Sequence, residues 1–157
     1  MVTKTKTATS NPPNQDEKLT AFGYALLGVI REHPDVTGYD INYIIKESIS
    51  YHLDASLSYI YPTLKKLHQK GYVTFQVIPI ENRAPMKKYR LTGLGEEVLQ
   101  EWLKKPVPES FDFRPFLLKI GFSFFMEKET LLGHIDREIQ RREAILEQGA
   151  QRGINPE

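Results

Sequence analysis

The side chains with chemistry to offer are cations and phenols, not acids paired with nucleophiles. From Ser56 to Thr92 the chain carries Lys65, Lys66, Lys70, Arg83, Lys87, Lys88 and Arg90 against Glu81 alone, a balance of +6 over 37 residues. Positive charge at that density makes a local field suited to a polyanion; a solvated lysine face is the plain alternative. The whole chain of 157 residues nets only +1, because residues 93–157 run to −3 against +4 before them. The four histidines, His33, His52, His68 and His134, lack the spacing of a metal-binding helix, so no metal or other cofactor is expected. Cysteine is absent, which excludes disulfides and thiolate chemistry and fits a reducing, cytoplasmic setting. With no nucleophile elbow, P-loop or dinucleotide fingerprint either, the sequence does not read as an enzyme.

Those cations need elements to hold them. Residues 1–18 are polar and read as a disordered tail. Thr20 is a good N-cap for a first helix with Phe22, Leu26, Leu27 and Ile30 on its apolar face, ending near His33-Pro34. The apolar run Ala21–Ile30 is about half of a bilayer span, so no membrane partner is expected. Pro34-Asp35-Val36 reads as a connector. Thr37-Gly38-Tyr39-Asp40 resembles a capping box and opens a second helix facing inward through Ile41, Ile44, Ile45 and Ser48. Ser56 or Ser58 caps a third, with core stripe Ile60, Leu64 and Leu67 and Gly71 as its C-terminal glycine. Pro62 favours the later start or a kink.

From Tyr72 the period changes to two. Val73, Phe75 and Val77 alternate with polar residues, Pro79 marks an edge or the end of pairing, Glu81 to Met86 turn, and Lys88–Leu91 return. Thr92 then caps a fourth helix, buried through Leu94, Val98, Trp102 and Leu103. The expected fold is therefore mostly α with a small β-hairpin: a winged helix-turn-helix domain at 19–104, a linker at 105–112, and a C-terminal helical dimerisation region at 113–151.

In this order the third helix suits the major groove of B-DNA and the hairpin suits the phosphate backbone or minor groove. Ser58, Tyr61 and Lys65 fall outside the core stripe and can face double-stranded DNA together. Of Lys65 and Lys66, on adjacent faces, one is expected to dominate. Tyr39, at a helix N-terminus, suits a phosphate or the core. Arg83, Lys87 and Lys88 are the candidate wing contacts.

Beyond the linker, Phe113, Phe116, Leu117, Ile120 and Phe124 form an aromatic stripe that reads as buried dimer core or, with Trp102, as the lining of an aromatic-ligand pocket. Leu132, Ile135, Ile139, Arg142 and Leu146 then recur at heptad spacing, the best candidate for pairing with a second copy. Arg142 in that seam calls for a glutamate such as Glu138 or Glu143.

Tyr24-Ala25-Leu26-Leu27-Gly28, Gly38-Tyr39, the run Ser58 to Leu67, Gly71-Tyr72-Val73 and Lys88 to Thr92 together resemble, in order, the PadR-type regulators. The resemblance is close over Leu19 to Leu103 and looser to Gln148. It implies a homodimer that binds an inverted repeat, usually represses its target, and is in many members released by a small, often aromatic ligand. Two departures stand out: Glu81-Asn82-Arg83-Ala84-Pro85-Met86 replaces a Gly-rich basic wing tip, and the C-terminal region is shorter than in the longer subfamily. A winged-helix protein scaffold without specific DNA binding is the alternative function.

Overall fold

The computed structural model describes residues 19–48, 56–107 and 114–151. Helix α1 (Ala21–Glu32) is the element the others pack around. Ala25, Leu26, Leu27, Val29 and Ile30 are all buried, so apolar residues cover nearly its whole circumference rather than one face. The Thr20 hydroxyl caps it, accepting from the Gly23 amide at 3.3 Å.

The expected connector after α1 is partly a strand. Asp35 takes a left-handed φ of 66°, and β1 (Val36–Thr37) pairs antiparallel with the return strand of the wing, Val36 opposite Tyr89 and Thr37 opposite Lys88. Helix α2 (Gly38–Ser48) opens with the capping box read from the sequence: the Thr37 amide donates to Asp40 Oδ2 at 2.9 Å, and the Asp40 amide to Thr37 Oγ1 at 3.1 Å. Ile41 and Ile45 are buried and Ile44 half-buried.

Helix α3 (Leu57–Gln69) starts after Ser56, the earlier of the two expected caps, so Pro62 lies inside it. Proline brings no N–H to the turn before it; next to it the Thr63 hydroxyl donates to the Tyr59 carbonyl at 2.7 Å. Ile60, Leu64 and Leu67 are buried, as the stripe predicts. Gly71, at φ 75°, ends the helix; its amide reaches the His68 carbonyl and that of Tyr72 the Leu67 carbonyl, the paired bonds of a Schellman cap.

Strands β2 (Val73–Ile80) and β3 (Arg83–Leu91) form the hairpin, and the sheet order is β1-β3-β2. The expected six-residue turn is shorter: Glu81 and Asn82 turn alone, Asn82 at φ 59°, and β3 begins at Arg83. Pro85 does not end the strand because β1 covers only Lys88 and Tyr89 of β3, and the register slips between Ile78 and Ile80, beside Pro79. Val77 is half exposed, so alternation fails near the tip.

Helix α4 (Gly93–Lys104) is capped by Thr92, whose hydroxyl accepts from the Gly95 amide at 3.0 Å. Its expected inward face is rotated. Leu94 is 50% exposed, while Gly95, Leu99 and Leu103 are buried. Gly95 lies so close to the Tyr72 backbone that a Cβ there would collide with the Tyr72 carbonyl, and this approach turns Leu94 outward.

The C-terminal arm consists of α5 (Arg114–Gly121), a 3-10 turn η1 (Ser123–Phe125) and α6 (Lys128–Gln151). In the single chain Leu118, Lys119 and Phe122 are buried, whereas Phe116, Leu117 and Ile120 of the aromatic stripe are half-buried and Phe124 is exposed. Phe122 fills a notch at Gly28 of α1, which draws the arm's own core toward the head. Phe113 lies outside the described residues. No helix among them is long and apolar enough to cross a membrane.

Candidate nucleic-acid interface

The candidate surface is built where α2, α3 and the wing converge. The capping box fixes the start of α2, and Gly38 there lies against the Tyr61 ring: a Cβ on Gly38 would stand 2.7 Å from Tyr61 Cε1. The missing Cβ lets the ring sit this close, and both tyrosines line the same cleft. Both stay open to solvent, at 69% and 46% exposure.

Across from them, Phe75 of β2 packs on His68 of α3 (centroids 4.7 Å apart) and on Tyr89 of β3 (5.7 Å). The Lys87 ammonium sits 4.2 Å over the Phe75 ring, so a cation–π contact holds this cation on the α3 side of the wing. The result is a cleft of about 680 Å³ between α3 and the hairpin, lined in part by Tyr39, Tyr61, Lys65, Phe75, Lys87 and Tyr89. Burial, with Tyr61 beside it, pushes the Tyr89 phenol above its usual range, so the floor is neutral and the charge stands at the rim.

Four of the eight expected contact residues, Tyr39, Tyr61, Lys65 and Lys87, thus meet in one cleft. The other four stand apart. Ser58 is exposed at the start of α3, its Oγ 2.5 Å from that of Ser56. Lys66 is half-buried, one position further round the helix than Lys65. Arg83 is exposed at the wing tip. Lys88, half-buried, follows Lys87 and so points to the opposite sheet face. There the Arg90 guanidinium, bonded to Asp35, holds the aspartate carboxyl below its usual range, and Lys88 adds to the same field. Arg90 thus ties β3 to the turn before β1.

Two exposed tyrosines escaped the sequence reading. Tyr43 is 67% exposed one turn after Tyr39 on α2, and Tyr59 is 65% exposed on α3. The i,i+4 spacing of Tyr39 and Tyr43 was the available signal. Among the described residues no cluster of histidine, aspartate and glutamate could hold a metal ion.

A compact three-helix head with a paired basic hairpin defines a winged helix-turn-helix protein. A family model described as the transcriptional regulator PadR-like family matches residues 26–101. The negative transcriptional regulator PadR of Bacillus subtilis (strain 168) is 34% identical over 125 residues, which span 78% of this chain and 68% of that protein. The chain belongs to the PadR-like family of transcriptional regulators, which are not enzymes. Among solved structures, Bacillus subtilis PadR in complex with operator DNA is 31% identical at a TM-score of 0.53, over 86% of this chain and 78% of that one. The smu.1604c protein of Streptococcus mutans UA159 is 28% identical at a TM-score of 0.50, over 84% and 82%.

Proposed function

We propose that the chain is a homodimeric repressor that reads an inverted-repeat operator with α3 and the wing and blocks transcription by occupying a promoter. The observation that carries this reading is the cleft where exposed Tyr39, Tyr61, Lys65 and Lys87 share one surface. Phosphates of one strand fit such a rim, while the outward side of α3 faces base edges. Ser58 and Arg83 extend the contact at either end; Lys66 and Lys88, half-buried, act mainly through their field. The relative from Bacillus subtilis, a negative regulator with an operator-DNA complex, supports the same assignment for this chain.

Dimerisation falls to α6. Leu132, Ile139 and Leu146 of the heptad seam are 46%, 50% and 66% exposed in the single chain. Ile135 is half-buried beside them, and Arg142 pairs with Glu138 of its own helix at 2.7 Å, which removes the need for a glutamate from the partner. A long helix with one uncovered apolar side is stable when a second copy covers it. The division follows: head at 19–104, linker at 105–112, dimerisation region at 113–151, and a tail at 1–18. Release by a small aromatic effector completes the proposal. A groove of about 750 Å³ between Pro106-Val107 and α6, with Arg137, Arg141 and Ile145 on its wall, offers it both charge and apolar surface.

The test is binding of the purified full chain to DNA upstream of its own gene, with unrelated DNA as competitor and salt varied. A competitor-resistant complex with the mass of two chains, weakened steeply by salt, is expected. Binding removed equally by any DNA points to the scaffold reading instead.

A further inference from the structure

The arm meets the head at three places. Phe122 fills the Gly28 notch on α1. Phe125 lies 3.9 Å under the Arg31 guanidinium, which also holds Glu96 of α4 at 2.7 Å. The third contact is polar and closes the C-terminal end of α4, where the last carbonyls have no amide of their own helix to accept from. Lys119, 1% exposed, reaches across from α5 and its Nζ donates to the carbonyls of Trp102 and Lys105. His134, 2% exposed, reaches from α6 and bonds the Leu103 carbonyl through Nε2 at 2.7 Å.

A buried lysine is rare without a partner. Here the partner is the negative end of a helix dipole, faced by the Trp102 ring, whose centroid is 4.7 Å from Nζ. Trp102 is itself stacked on Tyr24 of α1 with centroids 4.7 Å apart and planes 10° from parallel. One helix end is thus held by α5, by α6 and, through Trp102, by the helix at the centre of the head. None of this is needed to present Lys65 or Lys87 to DNA, and none of it belongs to the seam on α6. What these contacts fix is how the head sits against the arm.

We propose that Lys119 and His134 are positioning residues that lock the arm onto the end of α4 and so set the spacing between the two DNA-reading heads. The proposal rests on the dimeric operator reading above. In that dimer the α6 seam fixes arm to arm and the lock fixes each head to its arm. The distance between the two α3 helices, about one DNA turn in such proteins, is the product of both. Loosening the lock leaves each half-site contact intact and blurs the register between them.

The experiment uses the full chain and an operator it selects itself from random DNA. Affinity is measured by fluorescence anisotropy for that operator, for versions with one or two base pairs inserted between the half-sites, and for a single half-site. Lys119→Met is expected to keep the dimer mass and the half-site affinity. Its penalty for wrong spacing should shrink by about tenfold or more, the lower end of what a hydrogen bond to a charged group contributes. His134→Leu should act in the same direction, whereas His134→Gln, which keeps a donor near the Nε2 position, should retain the wild-type profile. A purely structural role would lower all affinities together and leave the spacing profile unchanged. A dimeric Lys119→Met with the wild-type spacing penalty overturns the proposal. Should Lys119→Met fail to fold, the His134 pair decides: equal profiles for Leu and Gln overturn it too. A wild-type chain that is monomeric, or indifferent to spacing, instead sinks the dimeric reading, and this inference with it.

Discussion

Replacing Lys65 and Lys87 together by glutamine tests the cleft most directly, because the two cations come from different elements and converge on one rim. Each phosphate contact releases condensed counterion and adds about 0.9 to the slope of log affinity against log salt. A dimer loses four such contacts with this double change. If the wild-type slope is about −7, from about four phosphates per protomer, the variant's should be about −3.4. At 0.15 M salt each lost contact costs about fivefold, so the four together weaken binding by about a thousandfold. Folding should change little, since both side chains are exposed; the Lys87 contact with Phe75 contributes about 0.5–1 kcal/mol at such a site. Anisotropy titrations at several salt concentrations, alongside thermal unfolding, give both numbers. Lys104→Gln with Lys128→Gln, both exposed and outside the cleft, serves as the charge-matched control and should leave the slope unchanged. The reasoning is refuted if the cleft variant keeps the wild-type slope, or if the control pair reduces its magnitude equally.

Three further outcomes follow from the same geometry. Gly38→Ala forces the Tyr61 ring away from a methyl that would stand 2.7 Å from it, so operator affinity should fall about tenfold, while stability changes little because the displaced ring is half exposed; wild-type affinity in a well-folded variant would show that the pairing of Tyr39 with Tyr61 is dispensable. Ile139→Glu places a charge in the middle of the seam and should give a folded monomer by sedimentation, with DNA binding reduced to that of a half-site. Burial, with Lys105 adding its charge, lowers the Lys119 pKa from 10.5 to about 8. Between those values the folded chain has released a proton that the unfolded chain still holds, so stability from this group rises with pH by at most about 1.4 kcal/mol per unit. The difference in unfolding free energy between wild type and Lys119→Met should therefore shift toward wild type from pH 8 to 10, and a flat difference contradicts the burial argument.

What the sequence made legible was whatever is encoded within one helical turn or one hairpin. Thr20, Thr92 and the Thr37–Asp40 box cap their helices as read, and Ile60, Leu64 and Leu67 form the buried stripe of α3. The misreadings share a different cause. Strand β1 is two residues long and exists because Tyr89, near the other end of the head, offers it a partner. Leu94 has the spacing of a core residue, yet the close approach of Gly95 to the Tyr72 backbone turns it outward. Glu81 to Met86 read as a wide turn, but the strand continues through Pro85, tolerated by the open side of β3 and a slip of register. In the cleft, four of the residues singled out by charge and order along the chain, Tyr39, Tyr61, Lys65 and Lys87, come together. Charge and order could not say that Lys87 faces α3 while Lys88 faces Asp35, because that division depends on strand register.

The placement of charge in the arm bears on how any effector could act. Lys119 and His134 close the end of α4, and His134 and Glu138 also line the groove between Pro106 and α6. Burial lowers the His134 pKa, with Lys119 and Arg137 adding to the effect, so the ring is held toward its neutral form. With Nε2 committed to the Leu103 carbonyl, Nδ1 is the buried acceptor, and it has no hydrogen-bond partner among the described residues. A ligand in the groove can therefore perturb the lock without touching the cleft between α3 and the wing. It shifts the equilibrium only by its preference for one head-to-arm arrangement over the other. Under the proposed dimeric repressor, repression and release would be one property, the spacing of two heads, set at the end of α4. A variant that broadens operator spacing should accordingly also lose its response to any effector that binds this groove.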